Sequence, residues 1–245
     1  MEMNLVTIVV DGKEKIVEKG TKLLEIAEEV KEQYDYPIVL AKVDNKFAEL
    51  AKPIENPCSI TFVTTKNSDG SRTYKRSCTF MLIKAIKDVL GDEITKTMIQ
   101  YSISKGYYCE TDLKRKMTEE DLAKIDARMR EMVAAAIPIQ RKTMQTDVAI
   151  KLFEQKGMLD KVKLLNYRKT STVTVYDLDG EIDYFYGQMV PNTSYLSKFQ
   201  LYLWDEGFVI QFPSSDNPDV IAPFEPHKKL FNVLKESSRW GNMLQ

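Results

Sequence analysis

A chain of 245 residues holds one large domain or two small ones. Its 43% hydrophobic and 29% charged content is that of a folded globular protein and excludes a disordered one. Lysine and arginine number 35 against 36 for aspartate and glutamate, so no global field draws the chain to nucleic acid or to an anionic membrane, and polyanion binding would need a local patch.

Residues 5–10, Leu-Val-Thr-Ile-Val-Val, are rich in β-branched types and predict a strand. Asp11-Gly12 supplies a tight turn, because glycine accepts positive φ, and Lys15 to Glu18 return. Gly20-Thr21 opens a helix with Thr21 as N-cap, and Leu23, Leu24, Ala27 and Val30 form its apolar stripe. Beyond Pro37, strands are expected at Ile38 to Val43, Phe47 to Leu50 and Ser59 to Thr64. The order ββαβββ predicts a ubiquitin-like β-grasp over residues 1–65, one helix across a small mixed sheet. Lys66 to Ser71 is polar and broken by Gly70, and residues 66–73 are read as a linker.

The second region, residues 74–225, reads as α+β. A helix is expected from about Ser77 to Leu90, stopped by Gly91. Two strands lie between Thr97 and Glu110, broken at Lys105-Gly106. Thr118 and the acids after it cap a helix carrying Leu122, Ile125, Met129 and Met132. Another helix starts at Thr146-Asp147 and ends at Gly157. Strands follow at Thr172 to Tyr176, Asp183 to Tyr186, Phe199 to Leu203 and Phe208 to Phe212. Residues 226–245 are expected to carry a closing helix from Pro226 to about Trp240, with Leu230, Phe231 and Leu234 on one face.

No apolar run approaches the roughly 20 residues that span a bilayer, and Met1 to Asn4 lacks the start of a secretory signal. Cys58, Cys78 and Cys109 form no disulfide framework, so a cytoplasmic setting is expected. Neither a phosphate-binding loop nor a dinucleotide fingerprint is present. With His227 the single histidine, no zinc site and no Ser-His-Asp site is expected. Basic clusters stand at Lys75-Arg76, Lys114 to Lys116 and Lys161 to Lys169, and form an RNA-binding groove if they meet in space. Tyr107, Tyr108, Tyr184, Phe185, Tyr186 and Tyr195 are candidates for core or for base stacking.

Over about residues 1–215 the order of segments resembles the N-terminal half of threonyl-tRNA synthetase, a TGS domain followed by the domain that hydrolyses mischarged tRNA. The residues that carry the resemblance are Val10-Asp11-Gly12, Val43-Asp44-Asn45-Lys46, Arg76-Ser77-Cys78-Thr79-Phe80, Lys105-Gly106-Tyr107-Tyr108 and Asp183 to Asn192. The resemblance implies a pocket formed by Arg76, Phe80, Tyr108, Lys161, Asp183, Phe185 and Met189. The family's motif has two histidines in its first element and a cysteine and a histidine in its last. Those positions here hold Arg76, Phe80, Phe185 and Met189, none of which binds metal in the usual way or accepts a proton near neutral pH. No catalytic residue is therefore expected.

The altered arrangement also resembles bacterial uridine kinase-like proteins that carry a TGS and an editing-like domain ahead of a nucleoside kinase domain. Under that resemblance residues 226–245 lead into a kinase domain absent from the chain, which is the expected partner. ATP and magnesium are expected for that domain and no cofactor for this one. The leading expectation is a non-catalytic regulatory module of such a kinase. The alternatives are an RNA-binding module holding a tRNA acceptor end, or a small-ligand sensor using the altered pocket; a nucleotide or a tRNA is the expected kind of ligand. Neither DNA nor a membrane is an expected partner.

Overall fold

The computed structural model describes residues 4–94 and 96–225, and beyond them Phe231, Val233 and Glu236. The first region contains β1 (Leu5–Val10), β2 (Lys13–Glu18), α1 (Leu23–Val30), β3 (Ile38–Val43), β4 (Lys46–Ala48) and β5 (Cys58–Thr64). Its sheet runs β2-β1-β5-β3-β4, with β1 parallel to β5 and every other pair antiparallel. Alternation sets the faces: Val6, Ile8 and Val10 point inward, and α1 lays Leu23, Ile26 and Ala27 against them. Thr21 does not cap α1. Its carbonyl accepts the Ile54 N–H at 2.9 Å, and the helix begins after Lys22, whose N–H donates to the Glu25 carboxylate at 2.9 Å.

The largest departure from the sequence reading lies at the expected linker. Helix α2 spans Ser68–Leu90 and begins nine residues before the expected Ser77. The polar residues that look like a loop serve the helix start. The Asn67 side chain accepts the Thr64 N–H at 2.9 Å, and the Asn67 carbonyl accepts the Ser71 N–H at 2.8 Å. Gly70 does not break the chain but lets α2 lie against β5, since a Cβ there would sit 2.0 Å from the Thr64 carbonyl oxygen.

The chain continues through β6 (Thr97–Ile103), β7 (Gly106–Thr111), α3 (Glu119–Ala135), β8 (Ile139–Gln145), α4 (Thr146–Gln155), α5 (Leu159–Tyr167), β9 (Thr172–Leu178), β10 (Glu181–Asp183), β11 (Gln200–Trp204) and β12 (Gly207–Gln211). These strands form two antiparallel sheets, β10-β9-β8 and β11-β12-β7-β6. A single core joins Val39, Leu40 and Val63 of the first sheet to Phe80, Met81 and Ile86 of α2 and to Cys109, Phe208 and Phe212 beyond it. A register shift between Ile38 and Leu40 lets neighbouring β3 residues serve both this core and that under α1. Helices α4 and α5 cover the β8–β9 sheet through Phe153, Val162, Leu165, Val173 and Val175.

On the opposite face of the four-stranded sheet, Tyr101, Tyr108 and Trp204 gather with Phe224 and Phe231. Most of the expected closing helix, including His227, Leu230, Leu234 and Trp240, lies outside the described residues. Phe231 is described, and it packs edge-on to Tyr108 at 5.2 Å and to Trp204 at 5.7 Å, so at this residue the segment docks on its own domain. Among the described residues no helix is long and apolar enough to cross a membrane.

Gly70→Ala forces α2 away from β5. A loss of about 1–3 kcal/mol is expected from such overpacking, read as a lower urea midpoint with an unchanged slope. An unaltered midpoint would show that the close approach is not needed.

Candidate functional site

The site is built where α2 faces the segment from Tyr184 to Asn192. Ser77, buried on α2, donates its hydroxyl to the Thr73 carbonyl at 2.8 Å and accepts the Val190 N–H at 3.0 Å. Arg76, one residue earlier, donates to the Gln188 carbonyl at 2.7 Å. Its guanidinium lies flat over Gly187, which has φ +114° and where a Cβ would stand 2.6 Å from the Arg76 Cζ. A third tether comes from the first region. The Glu49 carboxylate accepts the Met189 N–H at 3.0 Å and the hydroxyl of Tyr176, which also lies 2.6 Å from the Gly187 carbonyl. The loop is thus pinned by polar bonds from three directions, as buried backbone requires.

Six of the seven expected pocket residues converge here. Phe80 is fully buried and meets the Phe185 ring at 5.1 Å between centroids. Met189 is buried, with its sulfur 3.3 Å from the Ser77 hydroxyl. Asp183, only 2% exposed, receives the Tyr184 N–H at 2.6 Å and pairs with Lys161 of α5 at 3.4 Å. Lys161 also donates to the Tyr184 carbonyl at 3.2 Å and lies 5.6 Å from the Phe185 ring. Burial pushes the Asp183 carboxyl above the usual carboxylate range, with Lys161 opposing. Burial likewise lowers the Arg76 guanidinium from its ordinary value.

Tyr108 is the exception. It points to the opposite face of β7, into the aromatic cluster with Tyr101 and Phe231. Successive strand residues face opposite ways, so Tyr107 takes the site side, where the Arg76 charge partly offsets the upward push of burial on its phenol.

Two clefts open beside this centre, and Phe185 forms part of the wall of both. One, of about 400 Å³, holds Lys87, Lys96, Lys161 and Asp183 among Met98, Ile99 and Met158. The other, of about 620 Å³, gathers Arg72, Arg76, Arg141 and Arg168 beside Tyr176, Tyr184 and Tyr186. Among the described residues no three His, Cys, Asp or Glu side chains group to hold a metal ion, and the three cysteines are free. Sequence reasoning missed Glu49, Arg141 and Tyr176. Arg168 lay within the Lys161 to Lys169 cluster, but Arg141 sits on β8, whose lack of alternation hid the strand.

The raised Asp183 carboxyl has a pH signature. A group raised in the folded state favours folding below the ordinary carboxylate range, and that contribution is lost as pH rises through its folded value. The melting temperature of Asp183→Asn relative to the parent is therefore expected to climb as pH rises above the ordinary carboxylate range. A few degrees are expected, since about 1 kcal/mol moves a chain of this size by roughly 2–4 °C. A flat difference would mean that Asp183 titrates normally.

No family model matches the chain. Over 200 residues it is 31% identical to the threonine–tRNA ligase of Thermotoga neapolitana, a stretch covering 81% of this chain and 30% of the relative. The threonine–tRNA ligase of Thermotoga petrophila is 31% identical over 192 residues, covering 78% of this chain and 29% of the relative. That of Halalkalibacterium halodurans is 28% identical over 192 residues, covering 78% and 30%. The chain spans about 30% of the length of these curated relatives. Over roughly four fifths of its own length, this chain is related in sequence to a region of threonine–tRNA ligase, the enzyme also called threonyl-tRNA synthetase.

Proposed function

We propose that the chain is a module that holds the acceptor end of a tRNA without hydrolysing it. In this reading residues 4–65 are a β-grasp TGS domain, and the part from the start of α2 at Ser68 to residue 225 is a domain like the editing domain of threonyl-tRNA synthetase. The first assignment is supported by the sheet order β2-β1-β5-β3-β4, with β1 beside β5 and α1 across one face. The second is supported by the relatedness to threonine–tRNA ligases and by the motif residues meeting at one site.

The observation that carries the reading is a framework kept without its proton-transfer groups. Ser77, Arg76 and Glu49 hold the loop in place. The positions where the resembling family has titratable ligands present a guanidinium, two phenyl rings in tilted contact and a thioether. General base catalysis needs a group that takes a proton near the working pH. Asp183 and Lys161 are present, but they are spent on each other and on the Tyr184 backbone.

A small-ligand reading has one observation in its favour, the cleft of about 400 Å³ lined by Lys161, Asp183 and Phe185. The kinase-linked reading rests on the sequence resemblance alone.

Purified chain is expected to retain tRNA in filter binding at low salt. It is expected to release no serine from seryl-tRNA(Thr) above the uncatalysed rate. Failure to bind tRNA would overturn the reading. Serine release abolished by Lys161→Ala would show instead that the site is catalytic.

A further inference from the structure

The sheet order β10-β9-β8 leaves β8 at an edge, and two bonds fix the direction of its backbone groups. The Ile139 N–H donates away from β9, to the Pro191 carbonyl at 3.0 Å. The Thr146 N–H donates the other way, to the Ser171 carbonyl beside β9, at 3.0 Å. In an antiparallel ladder alternate residues send both backbone groups to the same side. Arg141 and Thr143 therefore turn N–H and C=O outward, and both residues are exposed.

The chain itself begins a further strand on this edge. Pro138 and Asn192 form an antiparallel bridge, and the Thr193 N–H donates to the Ile137 carbonyl at 3.0 Å. The pairing stops at Val190, whose N–H turns away to Ser77. Where the ladder would continue past Arg141, a cleft of about 790 Å³ opens instead. Its far wall includes β4, which is also an edge strand. The two-residue turn at Asp44-Asn45, with φ positive at both, makes Val43 and Lys46 the bonded pair, so Phe47 turns its backbone groups outward. The Phe47 ring lies 37% exposed at the same cleft.

An edge that offers donors and acceptors in alternation is matched by another strand. A phosphate backbone matches only the donors. Charge narrows the sequence of that strand. Lys22, Lys52 and Arg141 line the cleft, and none of them enters an ion pair among the described residues. The one carboxylate in the lining, Glu49, is committed to Tyr176 and to the Met189 N–H. The same charges disfavour a second copy, because two β8 edges paired about a two-fold axis would set Arg141 and Lys142 against their own kind.

We propose that the β8 edge is the docking site for an extended acidic peptide of a partner protein, added as a fourth strand in line with residues 191–193. The inference is independent of the tRNA-end reading.

The test uses the full chain and a labelled peptide of alternating glutamate and valine, about seven residues long as strands commonly are. A peptide of alternating lysine and valine is the charge control. The acidic peptide is expected to bind saturably and the lysine peptide not at all. On binding, hydrogen exchange should slow at the Arg141 and Thr143 amides, a change that a purely side-chain contact would not produce. Thr143→Pro removes one outward donor and spares the ladder to β9, since proline is tolerated at an edge. It is expected to weaken the acidic peptide about tenfold, whereas Thr143→Val keeps the N–H and the affinity. Lys22→Gln with Lys52→Gln is expected to weaken it about fivefold. No saturable binding of the acidic peptide, equal binding of the lysine peptide, or full affinity in Thr143→Pro would each overturn the proposal. A dimer of the parent that Thr143→Pro abolishes would assign the edge to a second copy instead. Protection of the same two amides by a tRNA acceptor oligonucleotide, and not by the acidic peptide, would assign it to RNA.

Discussion

The packing of α2 against Thr64, with no Cβ at residue 70 to hold it off, governs the rest of the molecule. It fixes the axis of the longest described helix relative to the first sheet. From that axis Tyr74 reaches the Lys198 backbone, Ser77 the Val190 N–H and Phe80 the Phe185 ring. One helix face therefore sets the distance between the first region, the loop from Tyr184 to Asn192, and the four-stranded sheet. Burial across this helix joins side chains from both regions into one core.

Much of the architecture was legible because local chemistry agreed with tertiary burial. The strands at 5–10 and 38–43 carry β-branched residues, and the Thr118 cap is made as its sequence suggests, with its hydroxyl accepting the Asp121 N–H at 3.1 Å. The misreadings have physical causes. In β8, Ile139 is the only buried side chain, so the strand is held by pairing with β9 and leaves no hydrophobic period to read. Helix α5 shows lysines on its exposed side, and these hid the buried Val162 and Leu165 behind what looked like a surface patch. The start of α2 is rich in residues that favour both caps and loops, and only the Thr64 contact decides between them. At the site, the motif residues were legible by resemblance, whereas Glu49 comes from another sheet and has no local signal. The Tyr107 and Tyr108 pair was ambiguous because nothing in two adjacent tyrosines tells which one faces the centre.

The substituted positions exchange proton chemistry for fixed charge and shape. A guanidinium stays cationic across the accessible pH range, and two phenyl rings offer no group that takes or gives a proton. Under the proposed reading such a centre holds a ligand and does not cleave it.

The Phe80–Phe185 contact also constrains how such a site can evolve. Each ring fills the space the other leaves, and Phe80 has no route to solvent. A lone imidazole at position 80 would trade apolar packing for an unpaired buried polar group, whereas position 185 is half-buried and reaches the clefts. A mutational path that changes residue 80 first thus crosses a less stable intermediate. The pair acts as a ratchet in that order: once the rings have met, substitution of Phe80 alone is selected against for reasons of folding, whatever the demand on chemistry.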